Sequence, residues 1–187
     1  MSGGSAKRPA TYEDLLAVPD SLIAEIVDGE LVTSPRPASR HVAAASALGV
    51  ELGPPFGRGR GGPGGWIILD EPELHVVDQV LVPDLAGWRR ERMPAIPDAA
   101  FFELAPDWVC EVLSPSTAAL DRTRKWHHYA RAGVNHLWFL DPAPQTLEVY
   151  RLDDGTWRLV SSFAGDVKVR AAPFDAVEID LAAIWTP

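Results

Sequence analysis

Two apolar, strand-forming runs, residues 108–113 and 136–140, bracket a segment with helical spacing at about 118–132. A helix between two strands commits the chain to a crossover, here from Leu113 to Leu137, and therefore to a sheet covered by that helix. The helix carries its own boundaries. Ser114-Pro115-Ser116-Thr117 offers N-cap side chains, and Gly133 ends it. Hairpins surround this unit. Residues 23–27 and 30–33 flank Asp28-Gly29, a pair suited to positive φ, and 146–152 and 156–162 flank Asp153-Asp154-Gly155. Further strands are expected at 66–69, 74–77 and 80–88, with a closing strand near 167–169 before a terminal segment at 179–185. A short helix starts at Thr11 and stops at Pro19, and an Ala-rich helix spans 41–52. The pattern predicts an α/β (α+β) fold, a mixed central sheet flanked by helices with an N-terminal β-hairpin.

The 187 residues, 47% hydrophobic and 23% charged, suit a single globular domain over 11–187 behind a disordered segment at 1–10. Residues 53–65, rich in Gly and Pro, carry no periodicity and are expected to be a mobile loop. They contain no GxGxxG or GxxxxGK[ST] phosphate motif. The lone Cys110 lies in an apolar run, which fits a core residue in a reducing compartment. Met1–Pro9 has no apolar core of a signal peptide and no stretch reaches the roughly 18 apolar residues of a membrane span, so a cytoplasmic protein with no membrane contact is expected.

The chemistry concentrates on carboxylates placed where apolar residues belong. Asp84 interrupts the run 80–86, and Glu111 interrupts 109–113. A buried, unpaired carboxylate costs on the order of several kcal/mol, so each needs an Arg, a solvated edge or a shared cation. Two carboxylates on successive strands can converge, and a hard divalent ion with oxygen ligands suits such a pair. Downstream, Asp121 and Lys125 are spaced i,i+4, with His128 roughly on the same face. They form either an exposed ion pair worth about a few tenths of a kcal/mol or a group folded back over the carboxylates. Glu25 sits on the first hairpin strand, where it is either exposed or part of the site, and His41 is either a phosphate contact or a structurally bonded histidine. Trp66, Trp108 and Trp138 are expected in the core, whereas Trp88 and Trp126, beside Arg residues, are candidates for stacking on bases. One Cys and scattered His residues show no zinc spacing.

At these residues the chain resembles a known family. Pro83-Asp84, Glu111-Val-Leu-Ser-Pro-Ser-Thr117, Asp121 with Lys125 and Tyr129, Ala132-Gly-Val-Asn-His-Leu-Trp138 and Asp141-Pro142 look like the Uma-type (Uma-two) restriction endonucleases, a branch of the PD-(D/E)xK nuclease superfamily. Glu25-Ile-Val-Asp-Gly-Glu-Leu-Val32, Ser34-Pro35 and His41 extend the likeness, which runs from about Thr11 to Trp185. The resemblance implies a restriction endonuclease-like core and a Mg²⁺-dependent endonuclease acting on DNA, with Mn²⁺ as substitute and a homodimer as the usual assembly. It implies Asp84 and Glu111 as metal ligands, the Val112 carbonyl as an additional one and Lys125 as a further catalytic group; Glu25 could then complete the outer shell of the metal or position the water, and His41, Arg122 and Arg124, by their charge and type, are candidate phosphate or DNA contacts. The lysine of the superfamily's E-x-K motif is replaced by Leu113, and the role passes to Lys125.

Net charge is −9, which argues against a tight, non-specific coat on nucleic acid. The distribution is uneven: residues 11–33 hold six acids and no Lys or Arg, whereas 34–60 hold four Arg and one acid. A local, metal-assisted contact therefore stays open. Two other functions share the residues: a nuclease-fold binding or scaffold domain without turnover, and a hydrolase of another phosphate ester.

Overall fold

A computed structural model describes residues 8–185. The first seven residues of the segment expected to be disordered lie outside the described residues. Within the rest of it, Arg8 pairs with Asp14 and the Ala10 N–H donates to the Gly29 carbonyl.

The elements follow the hydrophobic pattern closely. After α1 (Tyr12–Leu16), capped by Thr11, β1 (Leu22–Val27) and β2 (Glu30–Pro35) form the N-terminal hairpin. Asp28 and Gly29 both take positive φ at its tip, 55° and 73°, as a primed two-residue turn requires. Next come α2 (Ser39–Leu52), β3 (Trp66–Asp70), β4 (Leu74–Val76), β5 (Gln79–Leu81), β6 (Leu85–Arg89) and β7 (Trp108–Val112). The crossover helix follows as α3 (Ala118–Leu120), a π-helical turn (Asp121–Lys125) and α4 (Trp126–Ala132). The chain ends with β8 (His136–Asp141), β9 (Thr146–Asp153), β10 (Thr156–Ala164), β11 (Lys168–Val169), β12 (Ile179–Asp180) and α5 (Leu181–Trp185).

The expected mixed sheet is present, with six strands in the order β10-β9-β8-β7-β6-β3. The crossover makes β7 and β8 parallel, and every other pair in this sheet is antiparallel. A second, antiparallel sheet runs β2-β1-β5-β4. Residues 80–88, expected as one strand, are therefore two. Pro83 has no N–H to give a ladder, and the chain changes sheets across Val82-Pro83-Asp84. Asp84 sits at that break.

Side-chain alternation gives the large sheet two apolar faces. Trp108, Cys110 and Val112 join Leu48, Leu52, Leu181 and Ile184, so α2 and α5 cover one face. Val109 and Leu113 join Tyr129, Val27, Leu74 and Leu81, so the crossover helix and the small sheet cover the other. Trp66, Trp108 and Trp138 are buried as expected. Trp88 is fully buried, its indole N–H donating to the Leu104 carbonyl, so it cannot stack on a base. Trp126 stacks on Phe139 at 5.8 Å. Cys110 is buried, and burial pushes its thiol well above the usual range. No helix of the described residues is long and apolar enough to cross a membrane.

The Gly/Pro-rich segment departs from the expectation of a mobile loop. Gly53–Gly57 form a π-helical turn that buries Pro55 and Phe56, and the Phe56 ring lies 4.8 Å from that of Phe174. One aromatic anchor outweighs the flexibility of the glycines around it. A Cβ on Gly62 would stand 2.6 Å from Pro55 Cβ and 2.8 Å from its carbonyl oxygen. Gly62→Ala should therefore lower stability by about 1–3 kcal/mol in chemical denaturation, the range for forced overpacking, whereas a loop free to move would absorb the methyl without loss.

Candidate active site

The register of β6 and β7 decides where the two strand carboxylates point. Leu85 lies opposite Cys110 and Ala86 opposite Val109. One step further, the same ladder sets Asp84 opposite Glu111, with both side chains on the face covered by the crossover helix and the small sheet. On β1, Glu25 shares its side with the buried Val27 and turns toward the same face. Glu25, His41, Asp84, Glu111, Asp121 and Lys125 line one cavity of about 290 Å³. The alternative of Glu25 as an exposed strand carboxylate is excluded, since it is 5% exposed.

Lys125 is the hub. Its Nζ lies 2.8 Å from Glu111 Oε1, 3.0 Å from Glu25 Oε1 and 3.5 Å from Asp121 Oδ1, and donates to the Val82 carbonyl at 3.4 Å. The Tyr129 hydroxyl donates to Glu111 Oε1 at 2.5 Å, and the Val82 N–H donates to Glu25 Oε1 at 2.8 Å. Asp84 is held from two sides: Oδ2 accepts the Val112 N–H at 2.7 Å, and Oδ1 meets His41 Nε2 at 2.5 Å. Val112 thus enters the site through its amide. The other ring nitrogen of His41, Nδ1, is buried without a hydrogen-bond partner.

Three buried carboxylates thus surround one lysine ammonium, and a fourth, Asp84, lines the same cavity beside His41. Burial pushes the Glu111 carboxyl well above the ordinary range; Lys125 opposes this, and Asp121, Asp84 and Glu25 add to it. Burial likewise raises Asp121 against the pull of Lys125. Burial works against charge on Lys125 itself, but Glu111, Glu25, Tyr129 and Asp121 outweigh it and hold the ammonium well above the usual lysine range. Tyr129, raised mainly by burial, stays a phenol that can donate. The site is short of positive charge.

The i,i+4 pair of Asp121 and Lys125 is not an exposed helical pair, because both are buried. Arg122 and Arg124 do not line the cavity. Arg122 pairs with Glu148 and lies over the Phe139 ring, while Arg124 pairs with Asp28 and Glu30. His128 also leaves the site, meeting Asp28 at the hairpin tip at 2.8 Å. From sequence, Asp121 enters only as the helical partner of Lys125 and Tyr129 only through the family resemblance, with no site role given to either. The four-residue steps from 121 to 125 to 129 put all three on one helical face and were the available signal. Among the described residues, no group of three or more His, Cys, Asp or Glu is gathered so as to hold a metal ion by itself.

A scan against known families matches the family model Uma2, described as "Putative restriction endonuclease", over residues 9–182. The chain belongs to the Uma2 family. No curated protein matches the sequence. Among solved structures, a putative nuclease from Anabaena variabilis ATCC 29413 is similar in fold, with a TM-score of 0.72 and 24% identity over 95% of this chain and 98% of that one. The architecture around the Uma2 motif residues is restriction endonuclease-like, as the sequence resemblance implied.

Proposed function

We propose that this Uma2 protein is a divalent-metal-dependent endonuclease that hydrolyses DNA phosphodiester bonds, with Mg²⁺ as the ion and Mn²⁺ as a substitute. The observation that carries this reading is the convergence of Asp84 and Glu111 on one cavity with a buried Lys125 between Glu111, Glu25 and Asp121. The donor set suits a hard cation, being oxygen-rich and short of positive charge. Mg²⁺ commonly takes one or two protein carboxylates and completes its shell with waters and substrate phosphate, so a three-residue cage is not required. Asp84 and Glu111 would hold it, with the Val112 carbonyl as a further oxygen. An ion held there would supply a lowered pKa for a nearby water and positive charge against the scissile phosphate.

The chain's own groups divide the remaining work. His41 and the Val112 N–H fix Asp84 and still leave a lone pair on each oxygen. Tyr129 fixes Glu111 in the same way. Lys125 orients the attacking hydroxide or stabilises charge developing on phosphate, and Glu25, itself held by Val82 and Lys125, positions the water. Leu113, at the superfamily's lysine position, is buried among apolar side chains, and the ammonium beside Glu111 comes from the crossover helix instead. For cutting both strands of a duplex in one encounter, a homodimer would supply two such sites.

Supercoiled plasmid incubated with the protein should be nicked in Mg²⁺ or Mn²⁺ and not in chelator. Asp84→Ala and Glu111→Ala should each slow nicking by on the order of 100-fold or more. Activity that survives both substitutions would place the chemistry elsewhere. No nicking with either metal would favour the binding or scaffold role.

A further inference from the structure

The opposite end of the large sheet carries a second polar cavity with the reverse charge. It has a volume of about 200 Å³ and lies between Arg89, at the end of β6, Asp107, just before β7, and His136 and Arg151, which are cross-strand partners on β8 and β9. From Asp84 to Arg89 the chain runs ~16 Å along β6, so the two cavities sit at opposite ends of the same strands.

The charges here do not cancel. Asp107 is occupied by three partners: Oδ1 accepts Arg92 at 2.8 Å and the Asn135 amide at 3.2 Å, and Oδ2 accepts the Arg89 backbone N–H at 2.8 Å. Arg92 neutralises it. The guanidiniums of Arg89 and Arg151 form no ion pair with any acid among the described residues, in a chain of net charge −9. The Arg89 guanidinium lies over Trp66, with its carbon 4.2 Å from the ring centroid, a contact that uses the face of the group and not its N–H donors. Burial lowers His136 to about 4, and Arg151 and Arg89 push the same way, so its imidazole is neutral and adds no repulsion among the cations.

We propose that Arg89 and Arg151 form a phosphate-binding site separate from the carboxylate cavity. Two unpaired guanidinium forks facing one small cavity match the charge and the oxygen geometry of a single phosphate group. The ligand is the phosphate and not a base, because Trp66 is 2% exposed and already covered by Arg89, which leaves it no open face for stacking. The phosphate belongs either to free inorganic phosphate or to the backbone of a nucleic-acid strand crossing this end of the sheet.

Titration calorimetry with inorganic phosphate at low ionic strength tests the site independently of any nuclease activity. Wild-type protein should show saturable binding, weakened by about tenfold or more in Arg89→Gln and in Arg151→Gln, and unchanged in Arg131→Gln on α4. Near-UV circular dichroism checks that the Trp66 environment survives in Arg89→Gln, and the exposed Arg151 gives a variant that does not touch the core. A short oligothymidylate without terminal phosphate that displaces phosphate assigns the site to backbone diesters, and failure to displace assigns it to free phosphate. No saturable binding in wild type, or affinity in both arginine variants equal to that of wild type, overturns the proposal.

Discussion

Lys125→Met should cost the protein about 3–5 kcal/mol of stability near neutral pH, the penalty for leaving a buried charge partner uncompensated. Methionine keeps an unbranched chain one atom shorter and removes the ammonium with its charge and donors, so Glu25, Glu111 and Asp121 would then face one another without a cation. The loss should depend on pH with a definite sign. Burial already raises Glu111 and Asp121, and Lys125 is the group that opposes the rise. Without it, the folded variant binds protons more tightly than the unfolded chain, so its stability recovers as pH falls toward the ordinary carboxylate range and is lost as pH rises above it. Denaturation curves of wild type and variant at pH 5 and pH 8 give the comparison. A variant as stable as wild type at pH 8 would mean that the ammonium does not hold this acidic cluster together. Nicking activity, where wild type shows it, should fall by on the order of 100-fold or more in the same variant.

Phe174→Ala should lower stability by about 3–5 kcal/mol, the range for deleting a buried aromatic ring. Phe174 is fully buried in the segment between β11 and β12, with its ring centroid 4.8 Å from those of Phe56 and Trp66, 4.9 Å from Trp108 and 5.6 Å from Trp138. It joins the Gly/Pro-rich segment, the large sheet and the C-terminal segment through one side chain. Removing it leaves a cavity that rigid neighbouring rings cannot fill, and the melting temperature should drop by on the order of 10 °C. A change below about 1 kcal/mol would mean that this C-terminal segment is not part of the core that closes the sheet.

The core of the site was legible because its residues break a local rule. An acid in an apolar strand run needs a partner, and both Asp84 and Glu111 find theirs in the same cavity. The crossover was legible from strand and helix periodicity, and the hairpin from Asp28-Gly29. What could not be read depended on contacts distant in sequence. Val82-Pro83-Asp84 lies within one apolar run, yet the chain changes sheets there, because the two halves of the run pair with different strands. Local spacing cannot show whether Asp121 and Lys125 face solvent, and burial was decided by the hairpin strand carrying Glu25, about a hundred residues away. Neighbouring arginines suggested a nucleic-acid role for Trp88, but alternation along β6 turns it inward, away from them. Arg122 and Arg124 pointed to phosphate by charge alone, while the folded chain already supplies acids for both.

The metal site itself can be tested without any cleavage assay. Free Mn²⁺ gives an electron paramagnetic resonance signal that disappears on binding, so titrating wild type, Asp84→Asn and Glu111→Gln measures occupancy directly. If the two carboxylates hold the ion, wild type removes the signal with saturation and each variant binds about tenfold or more weakly. Equal Mn²⁺ binding by all three proteins, or none by wild type, would contradict a metal centre at Asp84 and Glu111.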